Sequence, residues 1–377
     1  MHFKHDGHEE RCMKVYEGSI ITCDAEGSLA RFLVEEGGRI VHIGNELPQA
    51  YAAAPKVELG DKALLPAFGD THIHFMSYAL FSAGLDLREA RTIEDSKSAI
   101  ADFVGQRSPA FVLGFGSSAH SVVERRLLAR DDIDAACPDR PVFIVKYDGH
   151  AGIANSALIG QVKAKLGALR GFDADSGLMT QEAFFRVTDF LTGKVSLPST
   201  LGNMLSAVDT LAGYGVGIVH SVTGIGFPGD MDVTLESLFA RGLANSVAYR
   251  VFFQTMDVVK VLKRKLPRIG GCFATALDGC YGSVDAAMLK PYEAAANLPP
   301  EQSKGILYYS DERVAAFCRE ANRAGLQIEM HAIGDAAFEQ AVSAIAAALA
   351  DFPREDHRHT IIHACLPTMR GLETCAK

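Results

Sequence analysis

The chain runs to 377 residues, 48% of them hydrophobic and 22% charged, with a formal net charge of -9. That balance fits a folded, soluble protein long enough for one large α/β barrel and a smaller element. Basic residues are not clustered and no apolar run approaches the ~20 residues that cross a bilayer, so nucleic acid and membrane are excluded as partners and a small-molecule substrate is left, with a homo-oligomer open.

The opening "MHFKHDGHEERC" is charged and lacks the apolar core of a secretory signal. Its His2, His5 and His8 read as part of a mobile tail. The eight cysteines are widely spaced with no C-x-x-C, which points to reduced thiols and a cytoplasmic location. Residues 1–63 read as a small all-β element, part of a β-sandwich, built on "KVYEGSIITCD", "ARFLVEEGGRIVHIG" and "KVELGDKALLPAF", with "EEGGRI" as a hairpin turn.

Residues 64–79 carry the first barrel strand. The apolar "LLPAFGDTHIHF" ends in His72 and His74, two residues apart and therefore on one face of a strand, which is how a strand presents two nitrogens to one metal ion. Residues 80–205 contain strands ("FVLGFG", "PVFIVKYDGH") and helices of their own. They are too much for one crossover and read as an inserted lid or substrate domain, the other reading being that these two strands join the barrel.

From residue 206 to 377 strand and helix alternate, which implies a parallel sheet. The strands are "GVGIVHSVTG" (215–224), "VAYRVFFQT" (247–255), "GGCFATALDG" (270–279), "LQIEMHAIGD" (326–335) and "RHTIIHAC" (358–365). The spacing predicts a helix over 310–325, with Ser310 as N-cap, Val314, Phe317, Cys318 and Ala321 as the apolar stripe, and Gly325 as terminator. A second helix carries Phe338, Ala341, Val342, Ile345 and Leu349 on one face. In a (β/α)8 barrel the active site lies at the C-terminal ends of the strands. His72, His74, His331 and His363 then converge on one mouth. His220 in "GVGIVHSVTG" closes another strand, so it is either a contact at the site or a buried, hydrogen-bonded histidine.

These segments resemble the amidohydrolase superfamily, in particular the amidohydrolase family 3 branch that includes N-substituted formamide deformylases. The resemblance lies in "LLPAFGDTHIHF", "PDRPVFIVKYDGHAGIANSAL" (138–158), "LDGCYGSVDAAMLKPY", "GLQIEMHAIGDAAFEQAV" and "RHTIIHAC". It implies a (β/α)8-type, TIM-like barrel whose mouth holds one or two divalent metals, zinc being the expected ion. His72 and His74 would bind the first. His331 and His363 would bind the second and serve as catalytic residues. His150, Asn155 and His220 would contact substrate, and Glu182 is a further candidate ligand. The reaction implied is metal-assisted hydrolysis of an amide, another C–N bond or an ester.

Two departures qualify the resemblance. Where this branch has a bridging lysine the chain has Ala274, leaving Cys272, Asp278 or Glu182 to supply an anionic ligand, so a single metal is expected. After His363 only "ACLPTMRGLETCAK" follows, without the branch's eighth-strand aspartate. The expectation is thus a barrel of six strands, incomplete at the C-terminus and weakly active alone. The rival readings are a catalytically silent metal-binding relative and a deaminase on the same scaffold.

Overall fold

The computed structural model describes residues 13–243, 246–281, 284–293 and 303–377. His2, His5 and His8, and Gly282 and Ser283 of the "LDGCYGSVD" segment, lie outside the described residues. The chain divides into two units between Phe68 and Gly69.

In the first unit β1 (Met13–Ile21), β2 (Leu29–Glu36), β3 (Arg39–Gly44) and β4 (Lys56–Leu64) form a sheet in the order β3-β2-β1-β4. The β2–β3 hairpin turns at Gly37 and Gly38, with φ of 58° and 79°. Two positive-φ residues in a row are what a tight hairpin needs and what glycine supplies. Alternation buries Val15, Phe32 and Val34 on one side.

In the second unit β5 (Phe68–Ile73) runs into α1 (Phe75–Ser82). The stretch after it folds as its own sheet of β6 (Leu85–Asp86), β7 (Val112–Ser117), β8 (Val142–Lys146), β9 (Ala151–Ala154) and β10 (Leu178–Thr180), in the order β10-β9-β8-β7-β6. The strands read in "FVLGFG" and "PVFIVKYDGH" are β7 and β8 and pair with each other here, not with the barrel strands. Helices α2 (Ile93–Arg107), α3 (Arg130–Ala136), α4 (Ser156–Leu166) and α5 (Gln181–Thr192) accompany this sheet. They bury Ile100 and Ile133 in one apolar cluster and Leu158 and Val187 in another.

After α6 (Leu197–Gly213) come β11 (Val216–Thr223), α7 (Met231–Leu238), β12 (Ala248–Phe253), α8 (Val258–Lys263) and β13 (Arg268–Ala276). Then follow α9 (Asp311–Arg323), β14 (Gln327–Ala332), α10 (Asp335–Asp351), β15 (Thr360–His363) and α11 (Met369–Cys375). With β5 the strands make one sheet whose spatial order, β15-β14-β13-β12-β11-β5, is the chain order reversed. From β11 to β15 every neighbouring pair is parallel. This is a nearly closed parallel barrel sheet of six strands among the described residues. Its edge strands β5 and β15 meet at their C-terminal ends, where the rings of His72 and His363 are 5.5 Å apart. Ser310 caps α9 as its sequence predicts, and the stripe Val314, Phe317, Cys318 and Ala321 packs with Ile328 and Met330 of β14. The barrel interior holds Val222, Phe252, Cys272 and Ile362 as an apolar layer. Among the described residues no helix is long and apolar enough to cross a membrane.

Helix α7 carries Glu236 to a fully buried position. Burial, reinforced by Asp232, pushes its carboxyl from 4.5 up to about 8. A carboxyl raised on folding favours the native state below its unfolded pKa and loses that advantage as pH rises through the folded value. Between about pH 4.5 and 8 this one group therefore costs the fold roughly 1.4 kcal/mol per pH unit. Glu236→Gln should flatten the fall in melting temperature between pH 5 and 8; a fall as steep as wild type contradicts this.

Candidate metal centre

β5 ends where its ligands begin. The Asp70 carboxylate accepts the His72 backbone N–H at 3.1 Å, and the strand stops at Ile73, leaving His74 as the N-cap residue of α1. The two rings stand edge to face, 5.4 Å apart. On β14, His331 is 6% exposed. Its ring lies 4.9 Å from that of His363, which is 5.5 Å from His72. The four rings thus form a continuous row across the C-terminal ends of β5, β14 and β15.

His363 reaches the row through an unusual backbone. Its neighbour Ile362 is buried in the barrel interior, so in a regular strand His363 would face away. Instead His363 and Ala364 both adopt left-handed conformations, with φ of 68° and 45°. Such conformations are uncommon for residues other than glycine and concentrate at functional sites.

Three ring nitrogens in the row, His72 Nδ1 and both of His331, are buried without a hydrogen-bond partner. Burial, and then the neighbouring histidines, pull His72 down to about 4 and His74 and His331 to about 3. His363 is lowered by burial and by His150. At neutral pH these rings are uncharged, the form that binds a metal. Orphaned nitrogens on converging, neutral imidazoles fit a divalent ion. The tightest group of ligand atoms is His72, His74 and Cys272, all within 4.8 Å of one another. His331 and His363 lie outside that group.

The other expected site residues divide. His150 is exposed beyond β8 and close enough to lower His74, His331 and His363 electrostatically. Phe273 stacks between it and His74, at 5.8 and 5.2 Å. Asn155 is corrected: it is fully buried, caps α4 by accepting from Leu158 N, accepts from Val142 N, and donates to Cys137 O and Arg140 O. Its amide is saturated and has nothing left for a substrate. His220 is corrected too. β11 continues three residues past it to Thr223, so the ring lies below the mouth, where Arg268, Arg250 and Asp70 act on it. Glu182 is exposed in the first turn of α5 and is not in the ligand group. Asp278 lies 3.9 Å from His331 Nε2 but accepts backbone N–H groups from Ala287, Ile333 and Gly334, so it ties the β13 and β14 loops together.

Glu329 is the residue that sequence reading missed. It is fully buried, neither carboxylate oxygen has a hydrogen-bond partner, and burial pushes it up to about 8. The signal was an acid two residues before His331 in an otherwise apolar strand, hence on the same face. Beside the histidines a cavity of about 360 Å³ is walled by Phe185, Phe227 and Phe273, with Asp189 in the wall; burial raises that carboxyl.

A family model described as the amidohydrolase family matches residues 57–374. The chain belongs to the amidohydrolase family. It is 25% identical to the putative amidohydrolase YtcJ of Bacillus subtilis, covering 96% of this chain and 70% of that one. It is 31% identical over 156 residues to the N-substituted formamide deformylase of Arthrobacter pascens, covering 40% of this chain and 29% of the deformylase. In structure it is similar to an uncharacterized metal-dependent hydrolase from Pyrococcus furiosus, with a TM-score of 0.71 and 23% identity over 96% of this chain and 75% of the other. That likeness establishes the fold.

Zinc should raise the melting temperature of this amidohydrolase, by the equivalent of about 2.7 kcal/mol at a hundredfold excess over Kd. His72→Ala and His74→Ala should each abolish the rise. An unchanged melting curve on adding zinc to wild type contradicts the assignment.

Proposed function

We propose that the chain is a metal-dependent hydrolase of an amide or related C–N bond in a small molecule, with zinc as its ion. The observation that carries this is the row of four uncharged histidines at the strand ends, with buried nitrogens that have no protein partner. His72 and His74 are the residues that would hold the ion, with His331 and His363 beside them at the mouth. A divalent ion held there supplies Lewis acidity toward a carbonyl and makes water acidic near neutral pH.

The chain's own groups do the rest. His363 is exposed at the mouth and is the residue placed to take a proton from water or hand one to a departing amine, a role worth about 10²–10⁴-fold. Phe185, Phe227 and Phe273 wall the cavity next to His74, which suits a substrate with an aromatic or branched apolar substituent on the scissile bond. An N-substituted formamide, the substrate class in the name of one relative, has that character. His150 lines the approach and is suited to a polar or anionic end of the substrate.

A silent metal-binding protein is the second reading, and one observation favours it: Asp278, the carboxylate 3.9 Å from His331, is already engaged by three backbone amides. Screening N-substituted formamides, N-acyl amino acids, cyclic ureas and aminated heterocycles with and without zinc separates hydrolase, deaminase and silent binder. The expected result is zinc-dependent, chelator-sensitive hydrolysis of an N-acyl compound with an apolar substituent. Phe273→Ala should then raise KM roughly 3- to 10-fold, with a smaller change in kcat. Metal binding with no turnover across the panel favours the silent reading.

A further inference from the structure

β13 is bent where it passes the histidines. Its pairing with β14 shifts register between Gly271 and Ala276, a bulge of the kind that re-aims side chains. Gly270 and Gly271 have φ of 100° and 150°. A Cβ on Gly270 would lie 2.0 Å from the Glu329 carbonyl oxygen, and one on Gly271 would lie 2.6 Å from the Gln254 side chain. The bulge is pinned by hydrogen bonds. The one O–H of Thr275 is shared between the Gly271 and Glu329 carbonyls, 2.7 and 2.9 Å away, and its Oγ1 accepts the Gly271 N–H at 2.7 Å. Gln254 Oε1 accepts the Phe273 N–H at 2.9 Å. Between these pins sits Cys272, 8% exposed. Two strands separate β13 from β5 in the sheet, yet the bend and the curl of the sheet bring Sγ within 4.8 Å of ligand nitrogens on both His72 and His74.

We propose that Cys272 is a direct, anionic metal ligand that completes a two-nitrogen, one-sulfur site with His72 and His74, while His331 and His363 face the substrate side. This rests on the reading of the mouth as a metal centre and specifies its ligand set. Thiolate and imidazole are the preferred donors of zinc, and a set of imidazoles alone would leave the buried ion's charge uncompensated. Binding releases the thiol proton to solvent. Glu329, on the same face as His331, is the competing anionic donor. Cys23, exposed in the first unit, is a control thiol.

The test is cobalt(II) and zinc loading of the full chain. Wild type should take up one equivalent of cobalt and show sulfur-to-cobalt charge-transfer absorption in the near ultraviolet. Cys272→Ser should lose that band and weaken metal affinity by at least ~100-fold; Cys23→Ser and Glu329→Gln should keep the band. Zinc-edge X-ray absorption on wild type reads the same point without depending on how a variant folds: one sulfur scatterer near 2.3 Å is expected beside nitrogens near 2.0–2.1 Å. A nitrogen- and oxygen-only shell, a band that survives Cys272→Ser, or loss of metal in Glu329→Gln but not in Cys272→Ser overturns the assignment of Cys272. Failure of wild type to bind cobalt or zinc at all overturns the metal reading beneath it.

Discussion

A buried nitrogen with neither hydrogen bond nor metal is a standing penalty of about 1–3 kcal/mol, and the barrel mouth accepts it repeatedly. Both ring nitrogens of His331 and one of His72 are in that condition. His359, at the start of β15, shows the contrast. Its Nδ1 accepts from Ile328 N at 3.0 Å and its Nε2 pairs with the Asn322 side-chain oxygen at 3.1 Å. One histidine is consumed by the fold, the other is held open by it. A metal ion is the partner that converts the penalty into binding energy.

The rest of the architecture can be read as what holds those rings in place. A parallel sheet whose edge strands meet at one end brings His72 to His363. Alternation along β14 puts His331 on the inner face, above Glu329. Where regular geometry would turn a ring away, the backbone departs from it, as in the two left-handed residues at His363 and Ala364. Departures from local rules at a site are expected where a fold gives up stability for function.

Much of this was legible in the sequence. Each of the six barrel strands lies where an apolar, β-branched segment was read, with ends displaced by no more than four residues. The histidine row followed from placing each ring at a strand's C-terminal end. His220 misled because residue parity gives the face of a strand but not the depth: β11 runs on to Thr223, which lowers the ring by a layer. Asn155 misled because a motif position says nothing about saturation, and here one amide closes four hydrogen bonds. Cys272 was legible as a candidate anionic ligand, and alternation from Gly270, which pairs with Glu329, puts it on the inner face; the bulge that follows it, pinned by Thr275 and Gln254 across two strands, has no local sequence pattern.

The central claim is that the row of histidines at the strand ends is a metal centre. Anomalous diffraction at the zinc edge, from crystals of the full chain exposed to stoichiometric zinc, tests it most directly. The account predicts a peak within bonding distance of His72 and His74. A peak instead at the other close pair, His357 and His359, whose rings are 4.6 Å apart, with none at the barrel mouth, would contradict it.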